Sequence, residues 1–149
     1  MVEPDLEKLF PGLAGKSFAI KSPKDDHYNC IAWAAGDIHN WWWPDSAHQD
    51  TWPAGVPRLE TMSAFRDAFA SLGYTVCDSE ELETGHEKIA LLALAGVPKH
   101  AARRLSSGRW TSKLGFLEDI EHDLHDLEGT QYGSVIIIMK RAQPALAGD

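Results

Sequence analysis

The sequence has little cysteine, no long hydrophobic run and no excess of positive charge. Its 149 residues include two cysteines, Cys30 and Cys77, too few for a disulfide framework or a cysteine-rich zinc site. No stretch reaches the roughly 18 consecutive apolar residues that a membrane-spanning helix requires. The formal net charge of −8 argues against nucleic acid and membranes as partners, because anionic partners bind cationic surfaces.

The composition is that of one ordinary globular domain. Apolar residues make up 44% of the chain and charged residues 24%, so a core can form without disulfides. We expect a single domain over residues 1–141 and a disordered tail over 142–149. The acidic start, Met-Val-Glu-Pro-Asp-Leu, is unlike a secretory signal, and we therefore expect a cytoplasmic protein.

Helical patterns dominate the first half of the chain and strand patterns the second. The spacing of apolar residues predicts helices over 3–10, 30–35, 59–72 and 117–127. Strands are predicted over 16–20, 75–77, 88–95, 99–105, 109–114 and 132–141. This order indicates an α+β domain, in which N-terminal helices pack on a small antiparallel sheet.

Cys30 is the most informative residue, because it stands where a helix begins. Asn29 is its predicted N-cap, and a thiol in the first turn is expected to have a lowered pKa. His100 follows 70 residues later, at the start of a predicted strand. Cys30 is thus the candidate nucleophile and His100 the candidate base, with the amides of the helix start facing the oxyanion. The alternative is a core cysteine and a surface histidine.

A third residue is needed to orient the imidazole of His100. Ser112 is one candidate, because it can lie beside His100 across the predicted hairpin. Asp119 is the other, and we favour it because a carboxylate stabilises an imidazolium better than a hydroxyl does. An acidic residue at a helix start also has a purely structural explanation in the helix dipole.

Segment 37–58 contains four of the six tryptophans. Their large side chains either line a binding groove or fill the core, and the area that a tryptophan buries favours the core. We nevertheless consider Asn29, Trp42 and Trp43 the candidate substrate-binding residues.

A metal site formed by His122 and His125, with aspartates of the predicted helix over 117–127, is an alternative. Such a pattern is more typical of a solvated helix face. We therefore predict neither a metal nor a cofactor.

Distinctive motifs run through most of the chain. They are Asn29-Cys30-Ile31-Ala32-Trp33-Ala34, Trp42-Trp43-Pro44, Gly55-Val56-Pro57-Arg58, Glu87-Lys88-Ile89-Ala90-Leu91, Lys99-His100-Ala101-Ala102-Arg103, Gly108-Arg109-Trp110-Thr111-Ser112-Lys113-Leu114-Gly115 and Glu118-Asp119-Ile120. Together they resemble a family of small, largely uncharacterised bacterial proteins over roughly residues 25–140. That family's Cys-then-His layout is similar to the papain-like clan of cell-wall amidases, acyltransferases and deamidating toxins.

The resemblance implies a papain-like cysteine-hydrolase-type fold, with Cys30 as nucleophile and His100 as general base. The sequence departs from this pattern in having no clear polar third residue on the strand after His100. We expect a thiol-dependent hydrolase or acyltransferase whose substrate is a protein, a peptide or a small amide or acyl compound. The alternative is a non-catalytic protein-interaction module on the same fold, with the tryptophan-rich loop as contact surface.

Overall fold

An antiparallel sheet of seven strands dominates the part of the chain that the computed structural model describes, residues 4–15, 18–22, 25–105, 107–114 and 118–142. The strands are β1 (Ala19–Ser22), β2 (Thr75–Cys77), β3 (His86–Leu94), β4 (Val97–Arg104), β5 (Trp110–Lys113), β6 (Asp119–His122) and β7 (Ser134–Ala142). Their order across the sheet is β1-β6-β5-β4-β3-β7-β2. Both edge strands therefore precede the five inner strands in the sequence.

In the described residues, three short α-helices accompany this sheet. They are α1 (Pro4–Leu9), α2 (Cys30–Ala35) and α3 (Met62–Ala70), and two 3-10 helices cover Pro11–Leu13 and Leu124–Leu127. Helix α2 starts at a capping Asn29, whose side chain accepts the Ala32 N–H, and stops at Gly36, whose φ of 89° suits glycine. None of the helices in the described ranges is long and apolar enough to cross a membrane.

The two faces of the sheet are buried against different clusters. On one face, α2 and α3 form the main core with strand residues that include Leu91 and Ala101. Ala90 and Ala102, the strand neighbours of those two residues, belong to a separate cluster with Trp110. Successive strand residues point to opposite faces, so this second cluster lies on the other side of the sheet.

The predicted fold class is wrong. We expected N-terminal helices packed on a small antiparallel sheet in a papain-like α+β fold, whereas a seven-stranded sheet dominates and the helices have six, six and nine residues. The helix expected over 117–127 is strand β6 followed by a 3-10 helix. Ile120, Leu124 and Leu127 have helical spacing, but a strand joined to a 3-10 turn buries all three equally well.

Several other predicted elements are confirmed, with bounds shifted by up to three residues. The helix predicted over 30–35 is α2, and the strands predicted over 88–95 and 132–141 are β3 and β7. Ala142 ends β7, and the rest of the predicted tail lies outside the described residues.

Candidate functional site

The thiol of Cys30 lies below the surface, where α2 meets β4. Cys30 is 6% exposed and belongs to the same apolar cluster as Ala101. The backbone N–H groups of Ala101 and Ile31 lie near the sulfur and act to lower its pKa. The N–H of Ala101 belongs to the peptide that joins it to His100, so the sulfur lies beside the backbone of the candidate base.

Burial raises the pKa of Cys30 to about 11, and the nearby backbone N–H groups and Lys113 offset only part of that rise. The prediction that the helix start lowers this pKa is therefore wrong. A helix of six residues supplies a dipole, but the loss of hydration around the sulfur outweighs it. The resting thiol is protonated at neutral pH.

His100 is 1% exposed and lies between a hydroxyl and an aromatic ring. Its Nε2 atom is 2.8 Å from Ser112 Oγ, and its ring stacks on Tyr132 with centroids 4.0 Å apart. Its Nδ1 atom is buried and has no hydrogen-bond partner among the described residues. Burial lowers the pKa of His100 well below 6.5, and the neighbouring His122 adds to this effect, so the ring is neutral.

The strands β4 and β5 separate where these groups meet. Their backbone pairing covers Arg103 with Thr111 and Arg104 with Trp110, and helix α2 contacts both strands. Beyond that pairing, a side-chain hydrogen bond joins His100 to Ser112. Because Ala101 faces the main core, its strand neighbour His100 points to the other face. The thiol and the imidazole therefore approach this gap from opposite faces of the sheet.

Tyr132 is a direct neighbour of His100. Its ring stacks on His100, and its pKa is raised by burial and further by charge on Cys30. No hydrogen bond joins the sulfur to His100 Nδ1 within the described ranges. The structure thus joins His100 to Ser112 and packs the helix that carries Cys30 against their two strands, with no hydrogen bond between sulfur and imidazole among the described residues.

Asp119 lies elsewhere. Its carboxylate, 2% exposed, accepts hydrogen bonds from Thr111 Oγ1 at 2.9 Å and from Ser22 Oγ at 3.4 Å. Burial raises the pKa of Asp119 despite these donors. Asp119 pairs with Lys113 in the sheet, and Lys113 points to the face opposite Ser112. His100 is therefore hydrogen-bonded to the hydroxyl of Ser112, and not to the carboxylate of Asp119 that we favoured.

The candidate binding residues Asn29 and Trp42 are in direct contact. Asn29 Nδ2 donates to the Trp42 carbonyl at 2.8 Å, and Asn29 Oδ1 accepts the Trp42 N–H at 3.2 Å. The indole of Trp42 donates to Asp37, while Trp43 packs edge-on against Phe65 with ring centroids 5.2 Å apart. These contacts fix the tryptophan loop, defined as residues 41–52, to the start of α2. A binding role for the three residues stays a prediction.

Replacing Asn29 with alanine is expected to lower the free energy of unfolding by about 2 kcal/mol, because a helix cap and the contacts with Trp42 are lost together. Urea denaturation measures this change. Asn29→Asp keeps the accepting oxygen and should recover part of the loss. Asn40→Ala, which removes an exposed hydrogen bond to Asp37, is the control and should change stability little. An Asn29→Ala variant as stable as the native protein would contradict this account.

Sequence reasoning missed His122, which we placed on a solvated helix face. The side chain is fully buried on β6, and its Nε2 lies 2.7 Å from Ser112 Oγ. Residues 119–122 read Asp-Ile-Glu-His, with a single apolar residue, so the local sequence carries no alternation that would have indicated a strand. His125, its proposed partner in a metal site, instead contacts Glu80 and Glu128 on the surface.

One group of acidic and histidine side chains in the described part of the chain has ligand atoms close enough to share a metal ion. It consists of Asp25, Asp26 and His27, and is largely exposed. Ion pairs of His27 with the two aspartates account for the grouping without a metal.

Comparison with known proteins places the chain in a family. The model of one protein family matches residues 19–140, most of the chain and every element that surrounds Cys30 and His100. The chain belongs to DUF7689, a domain of unknown function. No curated protein matches this DUF7689 chain, and neither does any solved structure.

Proposed function

We propose that this DUF7689 domain is a thiol-dependent hydrolase or acyltransferase that acts on amide, peptide or acyl substrates. Cys30 is the nucleophile, His100 the general base, and Ser112 the residue that orients the imidazole. The observation that carries this proposal is the state of His100: Nε2 is hydrogen-bonded to Ser112, while Nδ1 is buried with no partner among the described residues. A general base needs one nitrogen free to accept a proton while the other is held.

The protonation states define the chemistry. Burial favours the neutral thiol of Cys30 and the neutral imidazole of His100. The sulfur–carbon bond therefore forms as the thiol proton passes to Nδ1. His100 then gives that proton to the leaving amine or alcohol as the carbon–nitrogen or carbon–oxygen bond breaks. Water or another acyl acceptor attacks the resulting thioester and loses its proton to His100. The carbon–sulfur bond then breaks, and the sulfur takes that proton from His100, which restores the thiol.

The absence of a hydrogen bond between Cys30 and His100 fits a resting enzyme. Catalytic hydrogen bonds are often long before substrate binds, and they tighten in the complex. The order of a helix-borne cysteine followed by a strand-borne histidine, as in cell-wall amidases and related hydrolases, adds support from layout alone. The substrate must reach the gap between β4 and β5.

Acetyl transfer from p-nitrophenyl acetate, followed by mass spectrometry, tests the proposal. We expect acetylation of Cys30 at a rate that changes little between pH 7 and pH 9, because His100 is already neutral throughout this range. An unassisted thiol whose pKa is raised to about 11 would instead react about tenfold faster per pH unit.

Cys77→Ser is the matched control and should leave the acetylation of Cys30 unchanged. Cys30→Ser should abolish it. A folded protein in which Cys30 stays unmodified, or reacts with the tenfold slope of an unassisted thiol, would remove the enzyme proposal.

A protein-interaction surface on the tryptophan loop is the second candidate function. The observation that favours it is the fixed, half-buried position of Trp42, which Asn29 and Asp37 hold by hydrogen bonds. Aromatic side chains held in place lose little entropy on binding. In that case Trp42→Ala should abolish partner binding and Cys30→Ala should preserve it.

A further inference from the structure

A hydrogen-bond chain leads from His100 through Ser112 to His122. His100 Nε2 is 2.8 Å from Ser112 Oγ, and the same oxygen is 2.7 Å from His122 Nε2. The other nitrogen of His122, Nδ1, lies 2.7 Å from the carbonyl oxygen of Asp123. The side chains of His100, Ser112 and His122 are at most 1% exposed, so no bulk water competes for these hydrogen bonds.

The Asp123 carbonyl, at the end of this series of hydrogen bonds, fixes the direction of every bond in the series. A carbonyl oxygen can only accept, so His122 carries its proton on Nδ1. Because burial lowers the pKa of His122 to about 4, the neutral ring presents a bare Nε2 to Ser112. The Ser112 hydroxyl has one hydrogen, which it donates to His122.

The oxygen of Ser112 must then accept its second bond from His100. His100 therefore carries its proton on Nε2, and its Nδ1 bears a free lone pair. This is the tautomer in which Nδ1 accepts a proton from a thiol. The opposite tautomer would place a hydrogen on Nδ1 and leave His100 unable to act as a base at that atom.

We propose that His122 is a positioning residue that sets the tautomer and orientation of His100 through Ser112. The proposal rests on the proposed function for its catalytic consequence, although the tautomer is a property of the resting protein.

The end of the chain is itself held in place. The carbonyl of Asp123 also accepts the backbone N–H of Asp126 at 3.1 Å, and the Asp126 carboxylate accepts the Asp123 N–H at 3.1 Å. This capped 3-10 turn immobilises the acceptor that orients His122. The direction of the hydrogen bonds is thus imposed from the backbone, 23 positions along the chain from His100.

Long-range ¹H–¹⁵N NMR of the uniformly labelled protein tests the tautomer directly, because protonated and bare ring nitrogens have different ¹⁵N shifts. We expect His100 as the Nε2–H form, with assignment through loss of its signals in His100→Gln. An Nδ1–H form in the native protein would overturn the proposal, whether or not any variant folds.

Two substitutions of His122 separate its role from simple packing. His122→Leu fills similar space but removes the acceptor, which frees Ser112 to donate to His100 and favours the Nδ1–H tautomer. His122→Gln keeps an accepting oxygen near the position of Nε2. We expect His122→Leu to slow Cys30 acetylation by about tenfold or more, and His122→Gln to restore most of that rate and the Nε2–H tautomer.

Circular dichroism and urea denaturation check that both variants fold. If His122→Leu leaves the tautomer and the acetylation rate of the native protein unchanged, the positioning role is overturned. If the tautomer responds to His122 while native Cys30 is never acetylated, the positioning role stands and the enzyme proposal fails.

Discussion

Replacing His100 with alanine is expected to slow the acetylation of Cys30 by about 10²–10⁴-fold, the range that general-base catalysis contributes. The buried thiol has a pKa raised to about 11 and cannot supply thiolate at neutral pH without a base. In the His100→Ala variant, the acetylation rate should also rise about tenfold per pH unit, as expected of an unassisted thiol. Stopped-flow or quenched acetylation at several pH values measures both effects.

Added imidazole is the sharpest control for this prediction. The ring of His100 stacks on Tyr132, so its removal leaves a space that a free imidazole molecule can occupy. Imidazole should restore part of the rate in His100→Ala and have little effect on the native protein. His125→Ala removes a surface histidine and should leave the rate unchanged. If His100→Ala reacts as fast as the native protein, His100 is not the base.

Lowering the pH from 7.5 to 5 is expected to reduce the free energy of unfolding by about 2 kcal/mol through His122 alone. Burial lowers the pKa of His122 from 6.5 to about 4. Between these two pH values the histidine is protonated in the unfolded chain but neutral in the folded protein. The stabilising effect is complete above about pH 6.5 and is lost as the pH falls towards 4. His100, whose pKa is also lowered by burial, acts in the same direction.

Urea denaturation across this pH range checks the prediction. His122→Gln removes one of the two titrating groups and should reduce the pH dependence by about 2 kcal/mol, leaving the part that His100 contributes. His125→Gln should not flatten the pH dependence, because hydrogen bonds that His125 donates to Glu80 and Glu128 raise the pKa of His125 more than burial lowers it. His125 therefore stabilises the fold below pH 6.5, with the opposite sign. Equal stability of the native protein at pH 7.5 and pH 5 would contradict the buried neutral state of His122.

The helix at Cys30 and the strands β3, β4 and β7 were predictable from local sequence, because caps and apolar runs define them directly. The fold class was not, since it depends on which strands pair. The segment of β6 was predicted as a helix because Ile120, Leu124 and Leu127 have helical spacing, although Ile120 lies on a strand. The short edge strands were predicted too: β2 has the predicted bounds, and β1 is shifted by two to three residues from the predicted strand over 16–20.

For the candidate site, the sequence analysis proposed Cys30, His100, Ser112 and Asp119, and ranked Ser112 below Asp119. Chemistry favoured the carboxylate, whereas the alternation of side chains across β5 and β6 turns Asp119 away from His100. The prediction of a lowered pKa for Cys30 was wrong because burial raises this pKa more than the helix dipole lowers it. The sequence alone does not reveal that burial. His122 was overlooked for the same reason as β6, because its segment was assigned to a helix.

The strand order has a consequence for synthesis of this protein on the ribosome. Within the described residues, β2 pairs in the sheet with β7 and β1 pairs with β6. These two edge strands therefore cannot join the sheet until strands near the C-terminus have been synthesised. Contacts of such large sequence separation make folding slow, and leave apolar segments uncovered in the meantime. The nascent chain should therefore complete its sheet only after β7 has left the exit tunnel.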